Sequence, residues 1–210
     1  MNLGDYDRSV FPLFNNPLYV SRNAPLSTEI VEYVVNQEYY SDPQEKNGEN
    51  TSNQRLLDGC PELKALVERH LNHYLYNILC FDKRYVARHH CSWATRHKIG
   101  HSAHKHTHCN SMYSGVIYIK TPPNCGDILF HADSNRDTYT TPAMRPDIVE
   151  HNVYNSSCWS IPAEEALILL FPSTVEHSVE PNRSLSDRYS VAFNYWLHGQ
   201  YGDCTNRLTI

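Results

Sequence analysis

The chain has 210 residues, a formal net charge of −5, a pI near 6.2 and a mean hydropathy of −0.56. That length suffices for one domain with a substantial core, and the acidic balance disfavours backbone-driven nucleic-acid binding. No apolar run reaches the length of a membrane span, the first residues carry no signal-peptide pattern, and the seven cysteines include no CxxC pair. Scattered thiols of this kind suit a reducing compartment, so a cytoplasmic, single-domain protein (1–210) with no membrane partner is expected.

In chain order, residues 1–84 read as mainly helical. Ser27 can cap a helix carrying Ile30, Val31, Val34 and Val35 on one face and fading near Tyr40. The polar stretch 41–50 reads as loop. Asp58-Gly-Cys-Pro61 opens a second helix, with Leu63, Leu66, Val67, Leu71, Leu75 and Ile78 repeating at threes and fours. From residue 85 the period changes to two, and strands are expected over 85–95, 104–108, 114–120, 127–131, 148–154, 166–171 and 188–197. Turn sequences such as Thr121-Pro-Pro-Asn-Cys-Gly126 separate them, and 132–146 reads as a long polar loop. Many short strands without alternating helices predict a sandwich or barrel over 85–210, flanked by packing helices.

The chemistry concentrates in His101-Ser-Ala-His104-Lys-His106-Thr-His108, answered by His177 and then Arg188-Tyr-Ser190. In an extended segment, side chains at i and i+2 share a face, so His106 and His108 can hold one metal ion between them. A distant third ligand closes a facial triad with open positions, the arrangement used for metal-dependent oxygen chemistry. His177, just past the apolar run Ala166–Pro172, is the candidate for that ligand. A guanidinium at Arg188 suits a bidentate clamp on the far carboxylate of a dicarboxylic co-substrate, with Ser190 on the same strand face adding a hydrogen bond. Tyr118 is a further candidate for that carboxylate, with a packed core tyrosine as its alternative. Asn194 is read as off the face of Ser190, Cys109 as a buried thiol, and His97 as a residue without functional signal.

The stretch His106-Thr-His108-Cys-Asn-Ser111-Met-Tyr-Ser114-Gly115-Val-Ile-Tyr118 resembles the core motif of a 2-oxoglutarate/Fe(II)-dependent oxygenase family known largely from phages and marine bacteria. Leu170-Phe171-Pro172-Ser173 with His177, and Arg188-Tyr-Ser190-Val-Ala-Phe-Asn194, match its second half in order and spacing; Ser92-Trp93-Ala94-Thr95 is similar to a segment before the first motif. The resemblance implies a double-stranded β-helix (jelly-roll, cupin-like) and a dioxygenase using Fe(II), 2-oxoglutarate and O2. Such an enzyme hydroxylates a substrate and releases succinate and CO2. It also implies His106, His108 and His177 as metal ligands, with Arg188 and Ser190 holding the co-substrate. The broad superfamily has Asp or Glu where this chain has His108, so a ligand set including Asp133 or His104 stays open. So do a three-histidine dioxygenase that does not use 2-oxoglutarate and a non-catalytic metal- or ligand-binding jelly-roll. The substrate, small molecule or polymer, is not legible, and a homodimer is compatible with this reading.

Overall fold

The computed structural model describes residues 16–41, 47–132 and 147–210. Strand β1 (Tyr19–Ser21) precedes helix α1 (Thr28–Val35), β2 (Tyr39–Tyr40) and β3 (Glu49–Thr51). A 3-10 turn (Leu56–Gly59) leads into α2 (Pro61–His73), which continues as a π turn (Tyr74–Ile78). The remaining strands are β4 (Val86–His97), β5 (Ala103–His106), β6 (Tyr113–Lys120), β7 (Ile128–His131), β8 (Cys158–Ile161), β9 (Ile168–Pro172), β10 (His177–Val179), β11 (Arg188–His198), β12 (Gln200–Tyr201) and β13 (Leu208–Thr209).

Both helices start where their capping chemistry puts them. Ser27 is extended and its Oγ accepts from the Ile30 amide at 3.2 Å, while Pro61 occupies the first turn of α2, where no amide hydrogen is needed. Helix α1 stops earlier than its apolar pattern suggests. Gln37 Nε2 donates to the Tyr33 carbonyl and Tyr39 Oη to that of Val34, which satisfies the last turn and frees Tyr39 and Tyr40 to form β2. The 41–50 stretch is not all loop either. Glu49 and Asn50 lie in β3, tied to β4 by Arg96–Glu49 and Lys98–Glu49 ion pairs and by Thr95 Oγ1 donating to Asn50 Oδ1. The first 84 residues therefore supply edge strands as well as helices.

Strands pair antiparallel in a seven-stranded sheet, β1-β9-β6-β11-β4-β3-β2, and a four-stranded sheet, β5-β10-β7-β8. A separate β12–β13 hairpin follows β11. The expected strand over 148–154 does not form. Asn152 and Asn155 instead make side-chain-to-backbone turns, with Tyr154 N donating to Asn152 Oδ1 and Asn152 N to Asn155 Oδ1, both at 2.8 Å. The strand that pairs with β7 is β8, further along. Asp133 and most of the expected 132–146 loop lie outside the described residues.

The two faces of the large sheet carry different loads. Ile117, Ile119, Val191, Phe193, Tyr195 and Leu197 point outward and form one buried cluster with Ile30, Val34, Leu63, Val67 and Leu71 of the helices. Each such side chain contributes roughly 1.5–3 kcal/mol on full burial. The intervening positions of β11, Arg188, Ser190, Ala192 and Asn194, point to the other face, toward the small sheet. Burial beneath the helices carries the stability, and the inner face is free to be polar. A smaller cluster of Tyr118, Ile128, Phe130, Ile161, Leu169 and Phe171 fills part of the space between the sheets. Among the described residues no helix is long and apolar enough to cross a membrane.

Candidate metal centre and co-substrate cavity

Strand β10 is the hinge of the site. It lies between β5 and β7, with His177 opposite His106 on one side and Phe130 on the other. His108 does not share a strand face with His106, as an extended segment would require. Strand β5 ends at His106, and the His108 amide donates to the Ser173 carbonyl at 3.0 Å, which folds the chain toward β9. The three imidazoles nonetheless converge: ring centroids are 4.3 Å apart for His106–His177, 5.0 Å for His108–His177 and 5.2 Å for His106–His108. One ligand nitrogen from each falls within 4.8 Å of the others, the only such group of His, Cys, Asp or Glu among the described residues. His104 is exposed on β5 and stands outside it.

These rings suit a divalent ion. His177 Nδ1 sits 3.0 Å from the Val175 carbonyl and His106 Nδ1 2.7 Å from that of His104. A carbonyl can only accept, so each Nδ1 carries the hydrogen and each Nε2 keeps its lone pair for a metal. Burial, followed by the His106 ring, pushes His108 down to about 4. Burial also dominates at His177, pushed down to about 3 although the Val175 carbonyl opposes the shift. Neutral, lone-pair-bearing imidazoles are what metal ligation requires.

The support behind His108 was not legible as such. Asn194 shares the inner face with Ser190, contrary to the reading from sequence, and its Oδ1 accepts from Ser114 Oγ at 2.7 Å. Ser114 Oγ also bonds Ser173 Oγ at 2.7 Å, and Asn194 Nδ2 reaches Cys91 Sγ at 3.3 Å. This buried network fixes Ser173, whose carbonyl holds the His108 amide. Cys109, expected to be buried, is exposed.

From the histidines a cavity of about 340 Å³ runs between the sheets to Arg188, lined on the way by Tyr118 and Ser190. All six residues singled out from the sequence therefore face one space. Arg188 is 1% exposed; Nη1 donates to the carbonyls of Cys125 at 3.1 Å and Gly126 at 2.9 Å. Gly126 is needed there, because its φ of +83° is left-handed and a Cβ would overlap the Glu180 carbonyl. Ser190 stands opposite Tyr118 on β6 and Thr95 on β4, and the Arg188 guanidinium lies 5.9 Å from the Tyr118 ring centre. Burial pushes the Tyr118 phenol up to about 12, with the Arg188 charge opposing, so it stays a hydrogen-bond donor at neutral pH. Trp93, 5.9 Å from His108, and Phe171, 4.9 Å from His177, wall the metal end.

Sequence reasoning gave no weight to His97. It lies directly opposite Arg188 in the β4–β11 register, lines the same cavity and is 3% exposed.

Residues 91–194 match the family described as "Putative 2OG-Fe(II) oxygenase", a span that runs from the middle of β4 through most of β11 and holds every residue of the cavity named above. The chain belongs to this family. Solved structures agree on the fold of the oxygenase. A prolyl hydroxylase from Trichoplax adhaerens, in complex with a hypoxia inducible factor peptide fragment, superposes with a TM-score of 0.57 at 14% identity, over 85% of this chain and 83% of that one. HygX from Streptomyces hygroscopicus, solved with nickel and 2-oxoglutarate, gives 0.55 at 11% identity, over 86% and 82%. A Pseudomonas putida prolyl-4-hydroxylase gives 0.52 at 13%, over 88% and 94%. At these identities the likeness concerns the fold, an antiparallel jelly-roll. Comparison with curated protein sequences gives no match.

Proposed function

We propose that this 2-oxoglutarate- and Fe(II)-dependent oxygenase is a hydroxylase in which His106, His108 and His177 hold the iron and Arg188, Ser190 and Tyr118 hold 2-oxoglutarate. The observation that carries the reading is the single cavity with three convergent imidazoles at one end and a buried guanidinium at the other. Fe(II) and 2-oxoglutarate supply the oxidising chemistry: with O2, the oxo acid becomes succinate and CO2, and one oxygen atom enters a C–H bond of the substrate.

The protein's residues do the positioning. The Val175 and His104 carbonyls lock two imidazoles in the tautomer that leaves Nε2 free. Carbonyls of Cys125 and Gly126 orient the guanidinium before any ligand arrives, so little freedom remains to be lost on binding. Ser190 and Tyr118 offer hydroxyls from adjacent strands. Trp93 and Phe171 put apolar surface against His108 and His177, which lowers the local dielectric on that side of the metal end, while His106 stays open to solvent.

The formal charge of −5 argues against a nucleic-acid substrate, and seven free cysteines fit a reducing, cytoplasmic setting. Anaerobic reconstitution with Fe(II), followed by exposure to O2, tests the proposal through succinate release from 2-oxoglutarate. The expected result is Fe(II)-dependent succinate formation that is lost in His177→Ala. Oxygen uptake without succinate would replace the reading by a three-histidine dioxygenase, and metal binding without turnover by a binding protein.

A further inference from the structure

The Arg188 end of the cavity holds more unsatisfied hydrogen-bonding capacity than a clamp of one arginine requires. Arg188 commits Nη1 to two backbone carbonyls, but its Nε has no partner among the described residues. Opposite it on β4, His97 is buried with neither ring nitrogen in a hydrogen bond among those residues. His177 meets the Val175 carbonyl and His131 meets Ser178 Oγ, whereas His101 leaves its buried Nδ1 without a partner among those residues and His97 leaves both nitrogens so. Histidines kept for packing satisfy at least one nitrogen, since an unpaired buried polar group is costly.

Neighbouring groups do not supply a partner. The nearest acid along β3, Glu49, is engaged by Arg96 and Lys98. The Ser102 backbone approaches the ring without reaching hydrogen-bond geometry. Gly48 packs closely on the imidazole, since a Cβ there would lie 2.7 Å from Cε1 and 2.8 Å from Nε2, which restricts the ring on that side. Burial first, then the positive charge of Arg188 and the His101 ring, keep His97 neutral. A neutral imidazole has one N–H to give. The acceptor that suits an unpaired guanidinium Nε and an unpaired imidazole N–H facing one cavity is a carboxylate, with two oxygens and no donor of its own.

We propose that His97 is a second anchor for the distal carboxylate of the co-substrate, donating one ring N–H to it from β4 while Arg188 binds it from β11. This rests on Arg188 being the co-substrate clamp. Arg188 brings charge and therefore attraction. His97 brings direction without charge, so it makes the cavity selective for a 2-oxo acid with a second carboxylate at the right reach.

The test is anaerobic calorimetry on the full chain loaded with Mn(II), titrated with 2-oxoglutarate and, separately, with pyruvate, which lacks the distal carboxylate. His97→Leu is expected to weaken 2-oxoglutarate binding roughly ten- to a hundredfold, the range for one hydrogen bond to a charged group. Pyruvate affinity and Mn(II) content should stay as in wild type, and His97→Gln, which keeps an N–H, should recover most of the loss. Metal- and ligand-free His97→Leu should melt no lower than wild type, because an unpaired polar group has been replaced by an apolar one. His97→Phe repeats the measurement with the ring shape kept, should the leucine variant fold poorly. Wild-type 2-oxoglutarate affinity in both apolar variants, or equal losses for both oxo acids, would overturn the proposal. If Arg188 variants also bind 2-oxoglutarate normally, the clamp itself is refuted, which separates the two failures.

Discussion

Replacing Arg188 by Met removes the charge while keeping most of the side chain's volume. Two effects compete. The carbonyls of Cys125 and Gly126 lose a donor, and each unsatisfied buried acceptor costs about 1–3 kcal/mol. Against that, a 1%-exposed guanidinium with an unpaired Nε is no longer held out of water. The two effects have opposite signs, so folding stability should change by less than about 3 kcal/mol. Co-substrate binding has no such compensation. Truncating one member of a buried, hydrogen-bonded charge pair costs about 2–5 kcal/mol, which is roughly thirty- to several thousandfold in Kd. Metal affinity should hold, because the three histidines lie at the other end of the cavity. Anaerobic calorimetry with 2-oxoglutarate, metal analysis and urea unfolding on the same preparation separate these quantities. A folded, metal-loaded Arg188→Met protein with wild-type affinity for 2-oxoglutarate would refute the assignment of Arg188.

Three further outcomes follow from the geometry. A divalent ion at a hundred times its Kd should stabilise the metal-free protein by about 2.7 kcal/mol, a rise in Tm of roughly 5–11 °C, and this rise should vanish in His177→Ala; scanning calorimetry reads both. Metal-free protein should lose stability as pH falls from about 6.5 toward 4. His97, His108 and His177 stay neutral in the fold while the unfolded chain takes up protons, so the unfolded state gains about 1.4 kcal/mol per pH unit for each proton difference. Urea titrations at pH 7.5 and 5.0 that give equal stabilities would contradict this. Gly126→Ala forces a left-handed residue and a clash with the Glu180 carbonyl; it should cost about 1–3 kcal/mol and weaken 2-oxoglutarate binding through the carbonyls that orient Arg188, whereas unchanged affinity would show that this turn does not pre-set the guanidinium.

Much of this site was legible because its signals are local. Period-two alternation in β11 separates Arg188 and Ser190 from Val191 and Phe193, and the order of His106, His108, His177 and Arg188 survives in sequence whatever the fold does. The helix starts were legible for the same reason, from Ser27 and Pro61. What failed depends on contacts distant in the chain. Residues 148–154 have strand-like composition, but Asn152 within them and Asn155 just beyond close turns there, and β8 forms downstream where β7 offers a partner. His106 and His108 meet for a different reason from the one their spacing suggests: Ser173 draws the His108 backbone out of the strand. The Asn194–Ser114–Ser173 network joins β11 and β6 to the residue just after β9, positions that no sequence window contains together. His97 gained meaning only when the β4–β11 register set it opposite Arg188. Even spacing from Ser190 to Asn194 was the one available signal that the sequence reading missed.

The most direct test of the metal centre is anomalous diffraction at the iron edge from anaerobic crystals loaded with Fe(II) and 2-oxoglutarate. A single iron peak should lie among the Nε2 atoms of His106 and His177 and a ring nitrogen of His108, with the distal carboxylate of 2-oxoglutarate at Arg188. Iron bound through Asp133 or His104 in place of one of these histidines, or 2-oxoglutarate seated away from Arg188, would contradict the account.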